Sequence, residues 1–196
     1  MRYSSEHKAK TRERVLKEAA KEIRAKGPGN VAVAGVMARA GLTHGGFYAH
    51  FASKDALVKE AIGTMFADAR ARTDKIDPDG DPRAVLRAYV DFYLSPAHRD
   101  SRDRGCPLPT LSGDFARSQP ETRKRFGAGV EAIASRLAEP LAQLGYADAK
   151  AESRALLAQL VGGVALARAV GDPGLSDAML ADTRESILRR YELEVR

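Results

Sequence analysis

Apolar positions spaced three and four residues apart recur along most of the chain, and each run predicts one face of an amphipathic helix. Val15, Leu16, Ala19, Ala20 and Ile23 make such a face between Lys8 and Lys26, and Lys26-Gly27-Pro28-Gly29-Asn30 ends it. Val33, Val36, Met37 and Ala40 suit a short second helix closed by Gly41, where a helix C-terminus favours a left-handed residue. Thr43 can cap a third helix carrying Phe47, Tyr48 and Phe51, and Ser53 a fourth with Leu57, Ala61, Ile62, Met65 and Phe66 inside. Asp77-Pro78-Asp79-Gly80-Asp81-Pro82 is the strongest loop signal and predicts a module break.

Beyond it, Val85, Leu86, Tyr89, Val90 and Tyr93 define a fifth helix, Ser95 to Pro109 reads as an irregular arginine-rich connection, and Leu111 to Phe115 suggests a short sixth. A long pattern from Pro120 through Phe126, Val130, Ile133, Leu137 and Leu141 follows, with Pro140 expected to kink or end it. Asp148 opens a helix reaching about Ala169, Gly171-Asp172-Pro173-Gly174 stops it, and Ser176 is read as the cap of the last one. No segment alternates with a strand period, so the prediction is an all-α protein of about nine helices.

Composition narrows the class. The chain holds 12 Lys/Arg against 6 Asp/Glu in residues 1–60 and 20 against 20 in residues 61–196, so the whole excess of +6 lies in the first third. A localised basic excess on a neutral body suits phosphate binding, because Lys and Arg displace condensed counterions; a solvated basic helix gives the same count. The polar start contains no signal-peptide pattern, and the longest apolar run, Ala155 to Ala167, is interrupted by Gln159 and falls short of the roughly 20 residues a bilayer span needs. With one cysteine, Cys106, and no disulfide possible within the chain, the expectation is a reduced, cytoplasmic protein.

Between Val31 and Leu57 two short helices meet across a turn of about three residues, which is helix-turn-helix geometry. Gly41-Leu42-Thr43, Gly46-Phe47-Tyr48, His50-Phe51 and Ser53-Lys54-Asp55-Ala56-Leu57 resemble the DNA-binding signature of the TetR/AcrR family of transcriptional regulators. The resemblance is close over residues 8–62 and extends beyond only as a helical layout. It departs at Ala32, where the family places Thr or Ser as a cap; Asn30 is the expected substitute. The resemblance implies a helix-turn-helix DNA-binding domain over 1–62 and a helical ligand-binding and dimerisation domain over 63–196.

Carried over to this sequence, it places Thr43, His44 and Gly45 at base edges or flanking backbone, with Tyr48, His50 and Lys54 on phosphates. Hydroxyl, imidazole and ammonium groups suit phosphate oxygens, and a helix N-terminus attracts anions. Two adjacent glycines cost roughly 1 kcal/mol each in a helix, and close approach to DNA supplies a reason. Phe47 and Phe51, four apart, read as packing, while Tyr48 suits either role. Arg39 suits a phosphate contact or simple solvation. His44 and His50, six apart, point to different helix faces, and no metal or cofactor is expected.

In the second half, Leu156, Leu160, Val161 and Val164 around Gly162-Gly163 predict a close helix crossing, within one chain or between two. The resemblance implies a homodimer through the last two helices, with Met179, Leu180, Thr183 and Ile187 completing the seam. A cavity for an unidentified small-molecule effector is expected between the helices at 85–93, 111–115 and 120–141, with Tyr89, Phe92, Tyr93, Phe115 and Phe126 as lining or, equally, as core. Cys106 lies near His98, Arg99 and Arg102 in sequence, which suits a low-pKa redox-sensor thiol; a half-buried, inert cysteine is the alternative.

The leading expectation is a ligand-responsive repressor that binds a palindromic operator in double-stranded DNA as a dimer. An all-helical enzyme is the second reading, but the sequence has no phosphate-binding glycine loop and no HExxH or CxxC pattern. An architectural DNA binder, the third, would need no enclosed cavity.

Overall fold

The computed structural model describes residues 2–76 and 80–193, with side chains from residue 6 onward. Nine α-helices and one 3-10 helix make up its regular structure, and no strand occurs among the described residues. Residues 77–79 of the expected loop at 77–82 lie outside them.

The first helix, α1 (Arg2–Lys26), buries Val15, Ala19, Ala20 and Ile23 completely, as its periodicity predicts, but begins well before Lys8. α2 (Val33–Arg39) buries Val36 and Met37 against α1, and Gly41 follows it at φ 72°, the left-handed conformation a side chain would oppose. The expected third helix is a tight 3-10 helix (His44–Ala49), and Ser53 caps α3 (Lys54–Thr73) by accepting from Ala56 N at 3.0 Å. α3 packs along α1 and runs without interruption through residue 62, the expected domain boundary. The two expected modules would therefore share one rod about 30 Å long.

α4 (Pro82–Tyr93) opens the body. The supposed irregular connection contains α5 (Pro96–Asp100), which Ser95 caps by accepting from His98 N at 3.1 Å. α6 (Leu108–Ala116) begins earlier than its apolar residues suggest. α7 (Pro120–Gln143) continues past Pro140, so the proline does not end it. Proline forfeits one helical hydrogen bond there, within the last turn, and the helix keeps Leu141 fully buried.

α8 (Ala149–Ala169) is capped by Asp148, as expected, whereas Asp172 rather than Ser176 caps α9 (Pro173–Arg190). Ser176 sits one turn inside and donates to Ala167 O at 2.6 Å, so it ties α9 to the end of α8. α8 packs against both α7 and α9. Leu156, Leu160, Val164, Leu180 and Ile187 are buried within this chain, so much of the seam expected between partners is internal core. A Cβ on Gly163 would stand 3.0 Å from Thr183 and 3.2 Å from Leu94; the close crossing is intramolecular. Gly162 faces open space.

Candidate nucleic-acid interface and internal cavity

The turn after α2 directs the 3-10 helix outward. Phe47 and Phe51 are each 2% exposed, with ring centroids 5.7 Å apart, and they anchor this short element to the core. Each contributes roughly 1.5–3 kcal/mol by burial. Tyr48 is turned the other way and is 72% exposed, so packing does not account for it. Thr43 occupies the N-cap position but makes no side-chain cap bond, which leaves its hydroxyl available. Thr43, His44 and Gly45 are all exposed. A Cβ on Gly45 would meet nothing within 4 Å, so no internal crowding demands glycine there.

His50 is half-buried, with Nδ1 unpartnered. Burial lowers its pKa, and the charges of Lys8 and Arg12 lower it further, so the neutral imidazole is favoured. Arg12 lies 4.8 Å over the Phe51 ring and pairs with Glu60, which fixes α1 to α3 beneath the 3-10 helix. Lys54 donates to Gly29 O at 2.7 Å, so its ammonium group bridges the loop after α1 to the start of α3.

Two buried charges escaped the sequence reading. Glu22 is 5% exposed; it accepts the Ala32 N–H at 3.1 Å and pairs with Arg39, so it holds both ends of α2. Asn30 does not replace the missing cap at Ala32: its amide donates to Lys26 O. Arg39, read as a phosphate contact or a solvated cation, is held by Glu22 and by Glu18 at 3.4 Å. Arg24, 1% exposed, pairs with Asp68 of α3 at 3.1 Å and donates to Asp103 O at 2.6 Å. The clue in both cases is a charge next to the apolar stripe of α1, beside Ala19, Ala20 and Ile23.

Inside the body is a cavity of about 520 Å³, within the size range of small-molecule sites. Tyr89, Phe92 and Tyr93 line it, together with His98, Cys106 and α3 from Phe66 to Asp74. Phe115 and Phe126 do not: their rings pack against each other, tilted by 34° with centroids 4.7 Å apart, and Phe126 packs behind Phe66, whose ring takes the wall position. α3 thus replaces α6 as a wall. The lining is also more charged than expected, with Asp74 held between Arg136 at 2.6 Å and Arg70 at 3.5 Å.

Cys106 and His98 do not form a nucleophile and base. His98 Nε2 accepts the Cys106 backbone N–H at 3.1 Å, and Nδ1 lies 2.7 Å from Tyr93 O, so backbone groups occupy both ring nitrogens. Burial depresses the His98 pKa to about 4, keeping it neutral. The cations expected to activate Cys106 point elsewhere, Arg99 to Asp100 and Asp177 and Arg102 to Arg168 O; Arg168 and Arg24 do favour the thiolate, but burial outweighs them. Burial raises the thiol pKa instead, which disfavours the reactive thiolate.

Residues 15–61 match the family model for bacterial regulatory proteins of the tetR family. No curated protein matches the chain. Among solved structures, a TetR regulator from Chloroflexus aurantiacus is similar at 24% identity and a TM-score of 0.78, covering 93% of this chain and 96% of the other. A TetR-family regulator from Agrobacterium tumefaciens is similar at 20% identity and 0.77, covering 93% and 98%. The reduced form of Escherichia coli NemR is similar at 18% identity and 0.78, covering 91% and 95%.

Proposed function

We propose that this TetR-family transcriptional regulator is a repressor that binds a palindromic operator as a homodimer and releases it when a small effector enters the cavity. The observation that carries the reading is the outward-facing 3-10 helix, with Tyr48 72% exposed beside free Thr43, His44 and Gly45 on a rigidly packed base. Thr43, His44 and Gly45 take base edges or nearby backbone, and Tyr48, His50 and Lys54 take phosphates. The Lys54 contact requires the ammonium group to exchange Gly29 O for a phosphate oxygen or to share itself between them.

Dimerisation uses the outer faces of α8 and α9, where Leu166 and Leu175 are 53% and 51% exposed and Gly162 leaves room for a close crossing. Two such protomers would present their recognition elements about 34–36 Å apart. The effector cavity is lined on one side by α3, whose N-terminus belongs to the DNA-binding module. Arg24 adds a second link, from α1 to the connection that carries Cys106. An effector favouring a displaced α3 weakens DNA binding by the same factor that DNA weakens effector binding. Tyr89, Phe92 and Tyr93 suit an aromatic or other apolar effector; the buried Tyr93 Oη has the Cys106 thiol beside it and no oxygen or nitrogen partner.

The test is a gel shift with the DNA flanking the protein's own gene, with a salt titration and nonspecific competitor. A competitor-resistant complex of two protomers is expected, lost with Tyr48→Ala plus Lys54→Ala and shifted to one protomer or none with Leu166→Glu. Binding that is equal on all duplexes and unaffected by the Tyr48 and Lys54 changes would refute the operator reading.

A further inference from the structure

A second concavity, of about 640 Å³, lies between the C-terminal half of α1, the end of α2, α3 and the connection at Arg104. Its lining carries eight Lys or Arg side chains against two carboxylates, Glu18 and Asp68. Both carboxylates are already engaged, Glu18 by Lys21 at 2.7 Å and Arg39 at 3.4 Å, and Asp68 by Arg24 at 3.1 Å. Arg14, Lys17, Lys21 and Arg24 follow one another at helical spacings of three and four and form one continuous cationic wall.

At the base of this wall Arg24 is 1% exposed, and its Nη1 has no hydrogen-bond partner although Nε and Nη2 do. A buried N–H without an acceptor costs roughly 1–3 kcal/mol, so such a group calls for an explanation. Clustered cations around an unfilled guanidinium donor form a site for a compact anion with several oxygens.

We propose that this groove is a second ligand site, separate from the DNA interface and the effector cavity, that binds a small anion carrying two or more phosphoryl groups. The volume of this recess, walled by α1, the end of α2, α3 and the connection at Arg104, fits a small molecule. Glu13, Glu22 and Asp103, just outside the lining, pair with Lys17, Arg39 and Arg104, so the eight lining cations set against these three carboxylates and Glu18 and Asp68 leave an excess of three, which multiple phosphoryl groups match. A ligand there draws on the guanidinium that joins α1 to Asp103, so its occupancy is linked to the placement of the DNA-binding module.

The test is calorimetric titration of the full-length protein with inorganic pyrophosphate and, separately, with inorganic phosphate, at fixed ionic strength. Lys21 of α1 and Arg104 of the connection are both exposed, so Lys21→Gln plus Arg104→Gln can be made without disturbing the core. The expected result is one saturable pyrophosphate site per chain, tighter than phosphate, and weakened on the order of 10-fold in the double variant. Nonspecific duplex affinity in that variant should stay near wild type, and Tyr48→Ala should bind pyrophosphate normally. Thermal unfolding checks that the variant is folded; if it is not, Lys17→Gln plus Lys75→Gln takes its place. Absent or non-saturable pyrophosphate binding, or affinity unchanged by the groove substitutions, overturns the proposal. So does a loss confined to duplex binding, which would make the groove a track for DNA.

Discussion

Removing the Glu22 carboxylate tests whether the helix-turn-helix is held by an internal ion cluster or by apolar packing alone. In Glu22→Ala, the Ala32 N–H loses its acceptor and Arg39 loses its closest partner. Each charge-assisted hydrogen bond is worth about 1.5–3 kcal/mol. Two effects reduce the sum: Arg39 keeps Glu18 at 3.4 Å, and the wild-type carboxylate, whose side chain is 3% exposed, bears a desolvation cost that the variant escapes. The net expectation is a loss of about 2 kcal/mol, and about half of that for Glu22→Gln, whose amide oxygen still accepts the Ala32 N–H. Urea unfolding followed by far-UV circular dichroism measures it, at one protein concentration so that self-association cannot change the comparison. A Glu22→Ala protein within about 0.5 kcal/mol of wild type would refute the reasoning and assign the placement of α2 to Val36 and Met37 alone.

Ala32→Ser should stabilise the same module by about 1 kcal/mol, because Ala32 sits at the α2 N-cap in an extended conformation with no side-chain acceptor; a lowered urea midpoint would contradict this. Gly129→Ala would place a Cβ 2.2 Å from the Phe66 ring and drive the ring into the cavity; the expected cost is about 1–3 kcal/mol with weaker uptake of apolar ligands, read by thermal unfolding and fluorescent-probe titration. His98 has a folded pKa of about 4 against the ordinary 6.5, so the unfolded chain binds the proton more readily. Its contribution is whole above pH 6.5 and is lost progressively towards pH 4, by up to about 3 kcal/mol; His98→Gln should flatten that part of the stability–pH curve.

Periodicity revealed what depends on nearest neighbours along one helix: the buried stripe of α1, the Phe47 and Phe51 anchors, and the left-handed turn at Gly41. It could not show which of two apolar surfaces a residue meets. Phe115 and Phe126 have the same aromatic character as Tyr89 and Phe92, and only the approach of α3 decides that Phe66 faces the cavity and they do not. The α8 seam was ambiguous for the same reason, since a small residue allows a crossing without naming the partner helix, and Gly163 meets Thr183 of its own chain. Glu22 and Arg24 were hidden because residue type favours exposure, whereas their partners lie 10 to 79 positions away in sequence. In the 3-10 helix, the sequence left Tyr48 open between packing and contact, and only the inward turn of its neighbour Phe47 in the fold leaves it exposed.

The unbroken passage of α3 through the expected domain boundary restricts how the chain can be altered. A helix turns about 100° per residue, so inserting a single amino acid between positions 63 and 73 would rotate everything before it by more than a quarter turn about the helix axis. A seven-residue insertion nearly restores the angle but lengthens the rod by about 10 Å. Chimeras that graft this DNA-binding module onto another body must therefore keep both the phase and the length of the splice, and a flexible tether cannot stand in for either.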